Sequence, residues 1–183
     1  MFKFVNYLKY IRIFFDRKTA TKIAQFLIEN KMSIAVAESC TGGLISSMLT
    51  DVSGSSSFVK ANFVTYANEA KTKLLGVSEE ILSTHGAVSV QTANAMVKGL
   101  LGIDIAGEFP DFAIATTGIA GPTGGTLQKP VGLVYIGLAS KNLVKVEKYM
   151  VNPLYPRFLI KYLFAQKALK LFLDFVLNSD EDK

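Results

Sequence analysis

Twice in this chain a short apolar run breaks directly into a polar, glycine-rich turn. Residues 33–37 (SIAVA) run into residues 38–43 (ESCTGG), and residues 111–116 (DFAIAT) run into residues 117–125 (TGIAGPTGG). After the first turn Leu44, Ile45, Met48 and Leu49 fall at helical spacing. A strand that hands over to a helix through such a turn belongs to an α/β domain, and it leaves backbone N–H groups pointing outward at a helix N-terminus. In open sheets of this kind the turns gather at the carboxyl edge of the strands, where ligands bind. The two turns are therefore expected to face one cleft.

The rest of the pattern alternates in the same way. Ile23, Ala24, Leu27 and Ile28 make one face of a helix that Thr19 or Thr21 can cap and Asn30 ends. Residues 62–67 (NFVTYA) alternate like a strand, and Asn68 is expected to cap a helix that carries Lys71, Leu74 and Leu75. Ser78 opens a short helix, and residues 91–103 form another with Ala93, Met96, Val97, Leu100 and Leu101 inward. Residues 131–139 and 143–151 read as a hairpin, followed by a long closing helix over 155–177. With 183 residues the chain has length for about one domain. The reading is a single α/β domain, a three-layer α/β/α sandwich on a mixed sheet, spanning residues 19–178, with an extension at 1–18 and an acidic tail at 179–183.

The net charge of +5 suggests nucleic acid until it is located. Residues 1–18 carry Lys3, Lys9, Arg12, Arg17 and Lys18 against Asp16 alone, so nearly all of the excess sits there and the main domain is close to neutral. No nucleic-acid footprint is expected on the main domain. In the extension Phe4, Leu8, Ile11 and Phe15 follow helical spacing among the basic residues. Such a segment packs on the domain or on a partner subunit, or makes a weak membrane-surface contact. The apolar stretches are too often interrupted by Arg and Lys to span a bilayer, and no secretory signal is legible, so a cytoplasmic protein is expected. One Cys and one His exclude an internal disulfide and a structural zinc site.

Neither glycine-rich turn has the Walker or the dinucleotide-binding spacing. Two of them, carrying Ser39, Thr41, Thr117 and Thr123, favour a small anionic or polar ligand such as a nucleotide. A second constellation joins Ser55, Ser56 and Ser57 with Tyr66 and Lys71. A lysine held neutral by burial can take a serine proton, against the plainer reading of a capping serine and a solvated lysine. Cys40 lies near a helix N-terminus but has no base beside it in the sequence, and it reads as a buried structural thiol. His85, before Gly86 in a polar turn, reads as structural.

Residues 37–43 (AESCTGG), 54–56 (GSS), 63–71 (FVTYANEAK), 85–89 (HGAVS), 117–125 (TGIAGPTGG) and 129–132 (KPVG), in that order, closely resemble the CinA C-terminal domain family. Its stand-alone members are the PncC-type nicotinamide-nucleotide amidohydrolases. The resemblance spans residues 19–177 and implies deamidation of nicotinamide mononucleotide to nicotinic acid mononucleotide and ammonia, by a cytoplasmic homodimer without metal or other cofactor. It implies a serine nucleophile at Ser56 with Tyr66 and Lys71 as its catalytic partners. Ser39, Thr117 and an arginine on the last helix line the implied site, and Arg157 matches that arginine, with Lys161 as a further basic residue. Substrate-binding positions are then Ser39, Thr41, Gly42, Gly43, Ser55, Asn68, Thr117, Gly118, Gly121, Arg157 and Lys161. The lead-in to Arg157, residues 152–157 (NPLYPR), departs from the family's Phe-x-Gly-(Asp/Asn)-Arg pattern. A second function of a different class is a catalytically silent nucleotide-binding or protein-interaction module in a competence or DNA-damage response.

Overall fold

The computed structural model describes residues 17–178. The amphipathic stripe expected over residues 1–15 and the acidic tail expected at 179–183 lie outside the described residues. In chain order the elements are α1 (Lys18–Glu29), β1 (Ile34–Glu38), α2 (Leu44–Thr50), a single 3-10 turn (Ser55–Ser57), β2 (Val59–Val64), α3 (Asn68–Leu75), α4 (Glu79–His85), α5 (Val90–Leu101), β3 (Phe112–Gly118), β4 (Leu133–Ser140), β5 (Val144–Met150) and α6 (Arg157–Asn178).

The strands form one mixed sheet in the order β2-β1-β3-β4-β5. Strands β2, β1 and β3 are parallel, whereas β4 and β5 add as an antiparallel hairpin closed by Ser140 N–H donating to Leu143 O at 2.8 Å. The two faces differ in side-chain size. Ile34 and Val36 of β1, Phe112 and Ile114 of β3, and Val134, Ile136 and Leu138 of β4 pack under α1, α2 and α6. The alternate positions Ala35, Ala37, Ala113, Ala115 and Ala139 face α5 and the end of α3. Period-two alternation puts the large residues on one face, and the alanines let α5 lie close on the other. At Gly137 a Cβ would stand 2.8 Å from Ala93 O, so this strand position has no room for a side chain under α5.

Several local expectations shift. The edge strand β2 occupies Val59–Val64 rather than 62–67, because the carbonyls of Thr65 and Tyr66 turn to accept from Lys71 instead of a neighbouring strand. Neither Thr19 nor Thr21 caps α1, which begins at Lys18 with Arg17 as N-cap and no side-chain cap. The Thr21 hydroxyl instead donates back to Arg17 O. Asn68 does not cap α3: the N-cap is Ala67, in extended conformation, and Asn68 is the first helical residue. Ser78 does cap α4, accepting from Ile81 N–H, and Ser89 caps α5 in the same manner.

Candidate active site

The carboxyl ends of β1, β2 and β3 carry Ser39, residues 65–71 and Thr117, so the first turn, the start of α3 and the second glycine-rich turn meet at one edge of the sheet. The first turn is shaped by Glu38, which is completely buried. Its carboxylate accepts from the N–H groups of Gly43 (2.9 Å), Ile45 (3.2 Å) and Ser46 (2.8 Å), and from the Ser46 hydroxyl (2.7 Å). A buried carboxylate is tolerable only with such bonds, and here they are the orphan donors of the α2 N-terminus. The chain reaches that position by passing through Gly42 and Gly43 at φ of +62° and +95°, a left-handed conformation that glycine adopts without a Cβ clash.

Wrapping the turn around Glu38 directs Ser39 toward α3. Lys71, with 1% of its surface exposed, lies against the Ser39 hydroxyl at 3.2 Å between Nζ and Oγ. Its other contacts are the carbonyls of Thr65 at 2.7 Å and Tyr66 at 3.2 Å, to which Nζ donates. Burial pushes the Lys71 ammonium below its ordinary range, and the weaker pulls of Cys40 and Glu69 do not reverse this. A neutral lysine has two N–H donors and one lone pair. In the structure Nζ donates to the Ser39 hydroxyl as well; in the neutral amine the two carbonyls keep the donors, which leaves the lone pair for the Ser39 proton. This is the geometry of a nucleophile with its general base.

Tyr66 lies beside this pair, 64% exposed, and its hydroxyl accepts from Arg157 Nη2 at 3.0 Å. Arg157 Nη1 donates to Gly121 O at 2.6 Å, so one guanidinium joins the end of β2 to the second glycine-rich turn. One helical turn further along α6, Lys161 extends over the first turn: a Cβ on Gly42 would lie 3.0 Å from its Nζ. Leu44, Arg157, Phe158, Lys161 and Tyr162 line a cavity of about 520 Å³ here. No acidic side chain lines it, and two cations do.

The remaining site residues take structural places. The Thr41 hydroxyl pairs with that of Thr116 at 2.8 Å in the interior, and Thr117 donates to Ala87 O at 2.5 Å, tying the loop before α5 to β3. Gly118 and Gly121 admit close neighbours: a Cβ would stand 2.5 Å from Leu133 O at the first and 2.5 Å from Val131 Cγ1 at the second. The Gly43 N–H is taken by Glu38, so the α2 N-terminus does not present it to a ligand as expected. The N–H groups of Thr41 and Gly42 have no carbonyl or carboxylate partner among the described residues. Asn68 lies on a separate groove with Glu69, Thr72, Lys73, Glu79, Leu82 and Ser83. The Thr65 hydroxyl is buried without a protein partner.

The structure does not bring Ser56 to Lys71. The 3-10 turn of Ser55 and Ser56 precedes Val59, which pairs with Ile34 at the start of β1, whereas Ser39 follows Glu38, which pairs with Val64 at the other end. Five residues of strand, at about 3.3 Å each, put Ser55 and Ser56 roughly 15 Å away on the opposite edge of the sheet. Ser56 is exposed there. The serine within reach of Lys71 is Ser39. Cys40, buried, has its thiol pushed up to about 12 by desolvation and is no thiolate nucleophile. His85 is exposed at the end of α4, and Lys129 Nζ donates to its carbonyl at 2.7 Å. Among the described residues no group of three His, Cys, Asp or Glu side chains gathers as metal ligands, and no helix is long and apolar enough to cross a membrane.

Comparison with known proteins adds the family context. The model of the CinA C-terminal domain matches residues 16–176. A CinA-like protein of Endomicrobium trichonymphae is 49% identical over 150 residues, covering 81% of this chain and 34% of that protein. A putative competence-damage inducible protein of Caldicellulosiruptor saccharolyticus is 46% identical over 164 residues, covering 89% and 38%. The chain thus spans about a third of the length of the curated relatives it matches. Among solved structures, the competence/damage inducible protein CihA from Agrobacterium tumefaciens superposes with a TM-score of 0.80 at 40% identity, covering 86% of this chain and 93% of that one.

Proposed function

The chain belongs to the CinA C-terminal domain family, and from that premise we propose that it is an amidohydrolase that deamidates nicotinamide mononucleotide to nicotinic acid mononucleotide and ammonia, with Ser39 as nucleophile. The single observation that carries the reading is the 3.2 Å contact between Lys71 Nζ and Ser39 Oγ in a site where burial favours the neutral amine. Lys71 removes the Ser39 proton as Oγ attacks the carboxamide carbon. The oxyanion is met by the N–H groups of Thr41 and Gly42. Lys71 then returns the proton to the departing nitrogen, so ammonia leaves and an acyl ester on Ser39 remains. Water attacks this ester and gives its proton to Lys71, which passes it to the departing Ser39 Oγ, so the acid leaves and the serine hydroxyl is restored.

The 5′-phosphate falls to Arg157 and Lys161, the two cations of the 520 Å³ cavity. Charge-assisted bonds to a phosphate contribute about 1.5–3 kcal/mol each. A homodimer working in the cytoplasm belongs to the same proposal. Incubating the purified protein with nicotinamide mononucleotide and measuring ammonia and nicotinic acid mononucleotide tests it. Equimolar appearance of both is expected, and its loss in Ser39→Ala. Binding of the mononucleotide without ammonia would instead favour the catalytically silent module.

A further inference from the structure

Arg157 joins three separate parts of the site. It starts α6, holds the Tyr66 hydroxyl beyond β2, and holds the Gly121 carbonyl in the turn after β3. Both of its acceptors are neutral, and the side chain is exposed. Four residues along the same helix face, the Lys161 ammonium stands over Gly42, and the cavity lined by both opens between them. A phosphate entering that cavity offers the guanidinium a charged, bidentate acceptor in place of two neutral single ones, and such bonds are roughly twice as strong.

Resting on the amidohydrolase reading, we propose that Arg157 is a latch opened by the substrate's own phosphate. Bound to Tyr66 and Gly121, it takes a lone pair of the Tyr66 hydroxyl oxygen and ties α6 to the second glycine-rich turn. Drawn toward Lys161 by the phosphate, it frees that lone pair to accept from the N–H of the reacting carboxamide. The phosphate then raises turnover as well as affinity, and does so even when it is not attached to the reacting molecule. Arg157 acts through Tyr66, and is a positioning residue for the chemical step.

The test separates the phosphate from the amide. Nicotinamide riboside is assayed at saturation with and without inorganic phosphite, in the wild-type protein and in Arg157→Ala. In parallel, tyrosine labelled with carbon-13 at Cζ reports Tyr66 by NMR, its signal assigned with Tyr66→Phe. Phosphite is expected to raise riboside kcat severalfold in the wild type and to leave Arg157→Ala unmoved. It is also expected to shift the Tyr66 signal only where Arg157 is present. A wild-type protein that hydrolyses the mononucleotide but shows neither the kcat rise nor the shift overturns the latch. A phosphite-dependent, Arg157-dependent shift without hydrolysis of any of these amides supports the latch and removes the amidohydrolase reading instead.

Discussion

Replacing Ser39 and Ser56 by alanine, each alone, puts the reading of the site at greatest risk. The Ser39 hydroxyl lies 3.2 Å from Lys71 Nζ, at the carboxyl edge of the sheet. Ser56 is exposed in the 3-10 turn at the opposite edge and makes no side-chain bond among the described residues. Removing a nucleophile that works as a unit with its base lowers turnover by at least about a thousandfold. Stability should fall only by the net worth of one hydrogen bond, about 0.5–1.5 kcal/mol, which in a domain of this size lowers Tm by roughly 1–6 °C. Ser56→Ala removes a solvated hydroxyl, so stability changes within about 0.5 kcal/mol and turnover should stay near the wild-type value. Ammonia release from nicotinamide mononucleotide, followed with a coupled spectrophotometric assay beside a thermal melt, reads both quantities. A folded Ser56→Ala protein without activity, or a Ser39→Ala protein near wild-type turnover, refutes the assignment.

Three further outcomes follow from named contacts. Turnover should rise with pH to a plateau, because the neutral amine is the active form and burial lowers the Lys71 pKa from 10.5. Between that lowered value and 10.5 the unfolded chain holds a proton that the folded one lacks, so stability also climbs with pH through this window, the full penalty applying below it. A rate that falls with rising pH there contradicts the base assignment. Native Cys40, buried and pushed up to about 12, should resist iodoacetamide at pH 8, and Cys40→Ala should keep its turnover; rapid inactivation by the reagent would revive a thiol mechanism. In Gly99→Ala the new Cβ would stand 1.9 Å from Leu75 O, forcing α3 and α5 apart. A loss of about 3 kcal/mol is expected, read as a Tm lower by roughly 6–12 °C; an unchanged melt would show that the helices do not meet so closely.

The layers were legible because they rest on periodicity, which a single sequence carries. The large-and-small alternation of Ile34, Ala35, Val36 and Ala37 is written in the chain and reappears as two differently packed faces. Lys71 was legible as a candidate base, though a solvated lysine was the plainer reading. Its partner was not, because three consecutive serines and Ser39 are equivalent as letters and only the strand register places them on opposite edges. Glu38 was noted as the opening residue of a polar turn, and nothing local announces that its carboxylate folds inward to hold three N–H groups. Residue type alone names Asn68 as a cap, yet the extended residue before the helix is Ala67. Propensity names the residue suited to a role, and tertiary contacts decide which residue has it.

Glu38 also settles what the first glycine-rich turn is for. A strand, a pair of glycines and a helix look like a phosphate cradle, because the free N–H groups and dipole at a helix N-terminus attract anions. Here an internal anion already occupies that position, fully buried and bonded to Gly43, Ile45 and Ser46. A second anion brought to the same N-terminus would meet like charge and find those donors taken. In the proposed reaction the 5′-phosphate is therefore left to side chains on another element, Arg157 and Lys161 of α6 across the cavity, while the Thr41 and Gly42 N–H groups of the turn remain for the oxyanion. The glycines instead shape the turn that carries Ser39. Their left-handed conformation bends the chain around Glu38, and the missing Cβ at Gly42 leaves room for the Lys161 ammonium 3.0 Å from where that atom would lie. The motif that reads as a phosphate loop is a turn that presents Ser39 to Lys71.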